Sequence, residues 1–178
     1  MDLQMRAIEA RDAEPIAAAF AAIGWNKPVS QYLRYLSEQD DGRRDVLVAF
    51  VGEAFAGYVT VVWKPDYPPF HAENIPEISD LNVLPEFRRQ GIATRLLDNA
   101  ERRIARRSNI AGIGVGMTPD YGPAQRLYVL RGYVPDGRGL ASHDRILKHG
   151  DQAQVDDDLV LRFTKDLLTG RPGEHDRK

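Results

Sequence analysis

One continuous stretch, residues 78–107, restricts the fold more than any other part of the chain. Ile78 to Leu84 has the composition of a strand, Pro85 closes it, and a short loop leads to a helix predicted from Gly91 to Arg107. The apolar residues of that helix recur on one face: Ile92, Leu96, Leu97, Ala100 and Ile104. A strand that turns directly into an amphipathic helix predicts a domain in which helices cover a sheet.

The loop of this stretch has the properties of an anion site. It carries Arg88 and Arg89 and ends at Gly91, where the helix starts. The first turn of a helix has unpaired N–H groups and the positive end of the helix dipole, and a glycine lets the backbone approach a ligand closely. The pattern therefore indicates a phosphate cradle, and a solvated loop with a helix-start glycine is the alternative.

The remaining pattern predicts a single α+β domain over residues 1–168, with a charged tail at 169–178 that we expect to be disordered. Asp12 and Ser30 are predicted to cap the first two helices. Residues 64–76 and 137–157 are predicted to be irregular. The other predicted elements are strands at 3–8, 110–117 and 159–167, a hairpin of 45–51 with 54–63, helices at 13–23 and 30–39, and a helix at 119–131 that Gly132 stops.

Charge and composition exclude several classes of function. The net charge of −2 gives no general attraction to nucleic acid or to anionic membranes. The absence of cysteine excludes disulfides, thiolate nucleophiles and cysteine-bound zinc, and the four histidines have no ligand spacing, so no metal is expected. With neither a secretion signal nor an apolar run of about 20 residues, we expect a cytoplasmic protein that does not enter a membrane.

Two motifs together resemble those of the GNAT (general-control-related N-acetyltransferase) superfamily. The cofactor signature of that family is matched by Arg88, Gly91 and Ala93 after the strand that ends at Val83. A second signature follows at the family's spacing, and it consists of Tyr121, Ala124, Tyr128, Gly132 and Tyr133. Tyr121 stands where the family usually has asparagine, which affects one contact to the cofactor. The order of elements is similar over about residues 3–167.

The resemblance implies a three-layer fold, with a mixed central sheet of about six or seven strands flanked by about four helices, and acetyl-CoA as co-substrate. The residues that would bind this cofactor are Leu81, Val83, Arg88, Arg89, Gln90, Gly91, Ile92, Ala93, Thr94, Tyr121 and Ala124. The glycines at 112, 114 and 116 lie within a strand and lack the dinucleotide-binding spacing, so we expect them to let the cofactor lie close to that strand.

Acetyl transfer requires an amine that has lost its proton and a thiolate that can leave. No nucleophile elbow is present, so direct attack by the amine is predicted. Tyr128 matches the family's general acid, although its spacing also fits a core aromatic residue. Glu77 is the first choice for the base. Asp80 is an alternative if a bulge interrupts the strand, and a chain of waters is another. Both carboxylates could also be surface charges.

The acceptor pocket is expected to be formed by Trp25, Tyr32, Trp63, Tyr67 and Asp80. Aromatic rings combined with acids suit a cationic amine, either a small molecule or a peptide amine. Neither the acceptor nor the acyl chain length follows from the sequence, and a homodimer is left open. A non-catalytic acyl-CoA sensor on the same fold is the alternative function.

Overall fold

The computed structural model describes residues 2–168. The predicted tail, 169–178, lies outside the described residues. The strands are β1 (Leu3–Ala7), β2 (Arg44–Val51), β3 (Ala54–Val62), β4 (Glu77–Val83), β5 (Ile110–Gly116), β6 (Val134–Ser142), β7 (Arg145–Ile146) and β8 (Leu159–Asp166). The α-helices are α1 (Ala13–Ala22), α2 (Val29–Asp40), α3 (Pro68–Glu73), α4 (Ile92–Ile104) and α5 (Gly122–Leu130).

The chain divides into two compact units. Within the described residues, the first contains 2–63 together with Ile78–Arg102, and the second contains Lys64–Glu77 and 103–168. Each unit has four strands in hydrogen-bonded order, β1-β2-β3-β4 in the first and β5-β8-β6-β7 in the second.

Aromatic side chains fill the core of the first unit. Tyr32 and Phe20 are fully buried, and each meets the ring of Tyr58 edge-on, with ring centres 5.6 and 5.8 Å apart. Tyr58 lies in β3, which pairs with β2 in the antiparallel hairpin that the sequence predicts. The core therefore fixes α1 and α2 against the strand that neighbours β4.

Strand β4 is interrupted at Asp80, whose backbone has a φ of 53°. A left-handed residue breaks the strict alternation of side chains along a strand, which is the condition that the Asp80 alternative requires. The neighbouring strand approaches closely at Gly57, where an added Cβ would lie 3.0 Å from the Cα of Val83. Gly57 is thus required for the position of the end of β4.

In the second unit β5 pairs with β8 in an antiparallel register that sets Gly114 opposite Arg162. Strands β6 and β7 form a short hairpin whose turn residues, His143 and Asp144, both have left-handed backbones. This turn places the Asp144 side chain at the tip of the hairpin.

Several predicted local features are wrong. Helix α2 begins at Val29 after Pro28, so Ser30 lies inside the helix instead of capping it. Asp12 stands before α1, but its carboxylate accepts hydrogen bonds from Arg6 and from the amide of Glu9 instead of capping the helix. Residues 64–76 contain α3, and residues 137–157 contain most of β6 and all of β7. Prolines at the first turn of α3 and glycines in β6 conceal both elements in the sequence.

Candidate active site

The loop before α4 is exposed, and its backbone turns twice through the left-handed region, with φ values of 62° at Arg89 and 78° at Gly91. An added Cβ on Gly91 would meet nothing within 4 Å, so the space in front of the helix start is open. In the first turn of the helix, the N–H of Arg95 donates to the carbonyl of Gly91 at 3.1 Å. The preceding amides of the first turn are the donors that an anion would use.

The side chains around this loop are also consistent with binding of an anion. Arg88, Arg89, Gln90, Gly91 and Thr94 are exposed, whereas the side chain of Ile92 is buried and Ala93 is half-buried. Ile92 can therefore offer only its backbone to a ligand. Leu81 and Val83, on the strand leading into the loop, are half-buried.

Arg88 connects this loop to the loop between α1 and α2. Its Nε donates to the carbonyl of Val83 at 3.1 Å, and its guanidinium lies 5.7 Å from the ring centre of Trp25. Trp25 is partly exposed and stacks on Phe20. Val83, one of the residues that the family resemblance assigns to the cofactor, thus accepts a hydrogen bond from a side chain of the cradle itself.

Asp80 is the centre of a polar cluster in the first unit. Its Oδ1 accepts hydrogen bonds of 2.7 Å from Lys27 Nζ and from Asn82 Nδ2. Its Oδ2 accepts from three further side chains: Tyr58, Tyr35 at 2.9 Å and Gln31 at 3.0 Å. The side chains of Lys27 and Asp80 are only 17% and 18% exposed. We call this set the Asp80 cluster.

The Asp80 cluster holds its carboxylate in the ionised form. Burial alone would raise the pKa of Asp80, but the charge of Lys27 and the hydrogen bonds from Lys27, Tyr58 and Tyr35 lower the pKa below its usual range. Burial, together with the charge of Asp80, raises the pKa of Tyr58 and Tyr35. A carboxylate that is so fully hydrogen-bonded is a weak proton acceptor at neutral pH.

Glu77 has a different environment. It is buried in the second unit and is bound by the Nη1 of Arg162. The Nη2 of the same guanidinium binds Asp144, whose side chain is 40% exposed. The arginine is itself buried and lies 4.8 Å from the ring centre of Tyr67. One guanidinium therefore pairs with two carboxylates, so these three side chains together carry one excess negative charge when both acids are ionised.

The glycines of β5 have a role that the sequence did not indicate. Added Cβ atoms on Gly112 and Gly116 would collide with the rings of Phe70 and Tyr121, and one on Gly114 would lie 3.2 Å from the Cδ of Arg162. The glycines thus make room for side chains of the second unit. Their expected closeness to the cofactor stays a prediction.

Tyr128 and the rest of the second motif lie on and around α5. Tyr128 is buried, and burial raises its pKa to about 12. Its ring centre is 6.1 Å from that of Tyr133. Tyr121 donates a 2.9 Å hydrogen bond from its hydroxyl to Asp157, and Ala124 is half-buried. A phenol with this pKa stays protonated at neutral pH, so it can donate a proton but cannot act as a base.

The residues predicted for the acceptor pocket belong to both units. Trp25 and Asp80 belong to the first unit and are linked through Lys27, whose ammonium lies 5.7 Å from the ring centre of Phe20. Tyr32 is fully buried in the core of that unit. Trp63 follows the end of β3 and donates to Asp45 at 3.0 Å. Tyr67, in the second unit, is buried under Arg162 and donates to Asp136 at 2.7 Å.

Sequence reasoning missed Lys27, Tyr58 and Arg162. Arg162 had a usable signal, because it is an arginine inside the apolar run 159–163. A charged side chain inside an apolar strand is expected to be buried, and a buried charge needs an oppositely charged partner. Lys27 and Tyr58 had none, since their convergence on Asp80 depends on tertiary structure.

Among residues 2–168, no group of three or more histidine, aspartate or glutamate side chains could hold a metal ion. Over the same residues no helix is long and apolar enough to cross a bilayer.

Comparison with known sequences gives a family match. The pattern of the Acetyltransferase (GNAT) family matches residues 7–133. An uncharacterized N-acetyltransferase of Archaeoglobus fulgidus is 33% identical over 96 residues, which are 52% of this chain and 61% of that relative. The chain thus matches less than two thirds of the length of this curated relative.

Comparison with solved structures gives the fold. The yncA protein of Salmonella typhimurium, solved with its cofactor acetyl-CoA, has a TM-score of 0.67 at 17% identity, covering 98% of this chain and 96% of that one. A spermidine N-acetyltransferase SpeG chimera from Vibrio cholerae and hSSAT has a TM-score of 0.68 at 16% identity, covering 96% and 98%. The predicted α+β fold class is confirmed, with eight strands and five α-helices in the described residues where about six or seven and about four were expected.

Proposed function

Because the chain belongs to the Acetyltransferase (GNAT) family, we propose that it is an acetyl-CoA-dependent N-acetyltransferase that transfers the acetyl group to a primary amine. The observation that carries this proposal is the exposed loop from Arg88 to Gly91, which presents two arginines and an open helix start. The loop fits a pyrophosphate because positive side chains, free amides and the helix dipole coincide there.

When bound, acetyl-CoA supplies a thioester that the acceptor amine attacks directly. A carbon–nitrogen bond forms, the carbon–sulfur bond breaks, and the proton of the amine must be removed. Tyr128 is the proposed general acid, since its phenol is protonated at neutral pH and can donate that proton to the leaving sulfur. The acceptor is a small-molecule or peptide amine.

Of the two candidate bases, the environment favours Glu77. Asp80 is the acceptor of five hydrogen bonds and its pKa is lowered, which leaves it a poor base and a strong structural anchor. Glu77, the first choice from the sequence, lies buried against the guanidinium of Arg162. We therefore assign proton removal to Glu77, directly or through a water molecule.

The test separates binding from catalysis. Coenzyme A should raise the thermal midpoint of the protein, because a ligand of the native state stabilises that state. Gly91→Asp should abolish this shift by placing a negative charge in the cradle. Gly91→Asn is the matched control: it has the same size and the same left-handed strain but no charge, and it should retain most of the shift.

Catalysis is measured as thiol release from acetyl-CoA across a panel of amines, with products identified by mass spectrometry. Release with at least one amine supports the enzyme. A coenzyme A shift without release from any amine would instead support the acyl-CoA sensor. An equal shift in the parent and in Gly91→Asp would show that the cradle is misplaced.

A further inference from the structure

Arg162 binds two carboxylates that differ in how firmly they are held. Glu77 belongs to β4 and is buried, so its position is fixed by the strand. Asp144 lies at the tip of the β6–β7 hairpin, is 40% exposed and has a left-handed backbone with a φ of 60°. Asp144 is therefore the partner that a ligand could replace.

The position of the Arg162 guanidinium suits planar recognition of a carboxylate. Its face lies on the ring of Tyr67, and the absence of a side chain at Gly114 lets it lie close to β5. Its Nε is buried without a hydrogen-bond partner. A buried arginine whose donors are not all used is costly, so the arrangement is expected to serve a ligand as well as the fold.

We propose that Arg162 binds the carboxylate of the acceptor, that Asp144 occupies this position until the acceptor arrives, and that the acceptors are free α-amino acids. This inference rests on the proposed function and specifies its substrate. In an α-amino acid the amine stands on the carbon next to the carboxylate. A carboxylate on Arg162 thus brings the amine near Glu77, the proposed base on the same guanidinium.

The charges around Arg162 favour the exchange. One carboxylate replaces another, so the charge around Arg162 stays the same when the amino acid displaces Asp144. The released Asp144 remains next to Arg145 in the chain, so a cation stays close to it. Asp136 accepts hydrogen bonds from the phenol of Tyr67 and from the amide of Arg138, and it is a further carboxylate near Tyr67.

The first measurement compares matched acceptors by thiol release. An α-amino acid, its amide and its decarboxylated amine carry the same side chain, and a dipeptide represents the peptide N-terminus. The amino acid should have a kcat/KM about tenfold or more above the other three, as expected for a charge-assisted hydrogen bond. Equal or better use of the amide, the dipeptide or the amine overturns the proposal, while no release from any acceptor overturns the proposed function instead.

The second measurement uses variants. Asp144→Asn weakens the internal competitor and should lower the KM for the amino acid severalfold without a comparable change for the decarboxylated amine. Asp151→Asn is the matched control, since Asp151 is a hairpin-side acid that pairs with Arg145 and should have no such effect. Arg162→Lys, which keeps the charge but loses the planar fork, should raise the KM for the amino acid at least tenfold. An unchanged KM in Asp144→Asn contradicts the proposal even if Arg162→Lys does not fold.

Discussion

Replacing Asp80 by asparagine should destabilise the protein strongly while keeping the size of the side chain. The carboxylate is the common acceptor of Lys27, Tyr58, Tyr35, Gln31 and Asn82. The amide has no negative charge and turns an NH₂ group toward these donors. Tyr58 cannot turn to solvent, because it is fully buried.

The expected loss is about 3 kcal/mol of unfolding free energy. Breaking a buried ion pair by removing one partner typically costs about 3–5 kcal/mol, and the lower end applies because Lys27 and Asp80 retain some exposure. Urea denaturation followed by circular dichroism measures this difference. Asp41→Asn is the control, since Asp41 pairs with Arg43 on the surface and should leave the unfolding free energy unchanged within error.

The pH dependence of the unfolding free energy is the measurement that can refute this role of the Asp80 cluster. The pKa of Asp80 is lowered in the folded protein, so its contribution is present above the unfolded pKa and is lost as the pH falls toward the folded pKa. The stability gap between the parent and Asp80→Asn should therefore be constant near neutrality and narrow below about pH 4. A loss under about 1 kcal/mol, or a gap that does not narrow in acid, would show that the Asp80 cluster is hydrated in solution.

Two further substitutions test the second unit. Tyr128→Phe keeps the buried ring but removes the proton donor, so turnover should fall on the order of a hundredfold with an unchanged coenzyme A shift; an unchanged rate would make Tyr128 a packing residue. Gly114→Ala should cost about 1–3 kcal/mol in urea denaturation because its Cβ would press on Arg162. Gly122→Ala, where the space is open, should not destabilise, and equal stability of the two variants would contradict this packing.

The sequence predicted those parts of the fold that depend on local pattern. The β2–β3 hairpin and the start of α4 beyond Gly91 follow from short-range periodicity and from one glycine, and the structure confirms them. Strand β6 escaped prediction because glycines and a proline hide its period, and its partner β8 is distant in the chain. Pairing with a remote strand is a tertiary effect that overrides local propensity.

The same distinction applies to the candidate site. The cradle around Arg88 and Gly91 is one continuous segment, so its residues could be named in advance. The neighbours of Asp80 and Glu77 could not: Lys27 is 53 residues from Asp80, and Arg162 is 85 residues from Glu77. Carboxylates were recognised as candidates, but their ionisation is decided by partners that no local motif contains.

The three glycines on one face of β5 also limit which substitutions this protein can accept during evolution. Each of its three glycines is matched to one large side chain, with Gly112 under Phe70, Gly114 under Arg162 and Gly116 under Tyr121. A methyl group on Gly112 or Gly116 and the ring above it cannot occupy the same volume, and one on Gly114 would force Arg162 to shift, so neither member of a pair can be enlarged without moving the other. In related sequences such positions should vary together. More space on this face can be made only by shortening the covering side chain, because glycine has no side chain to remove.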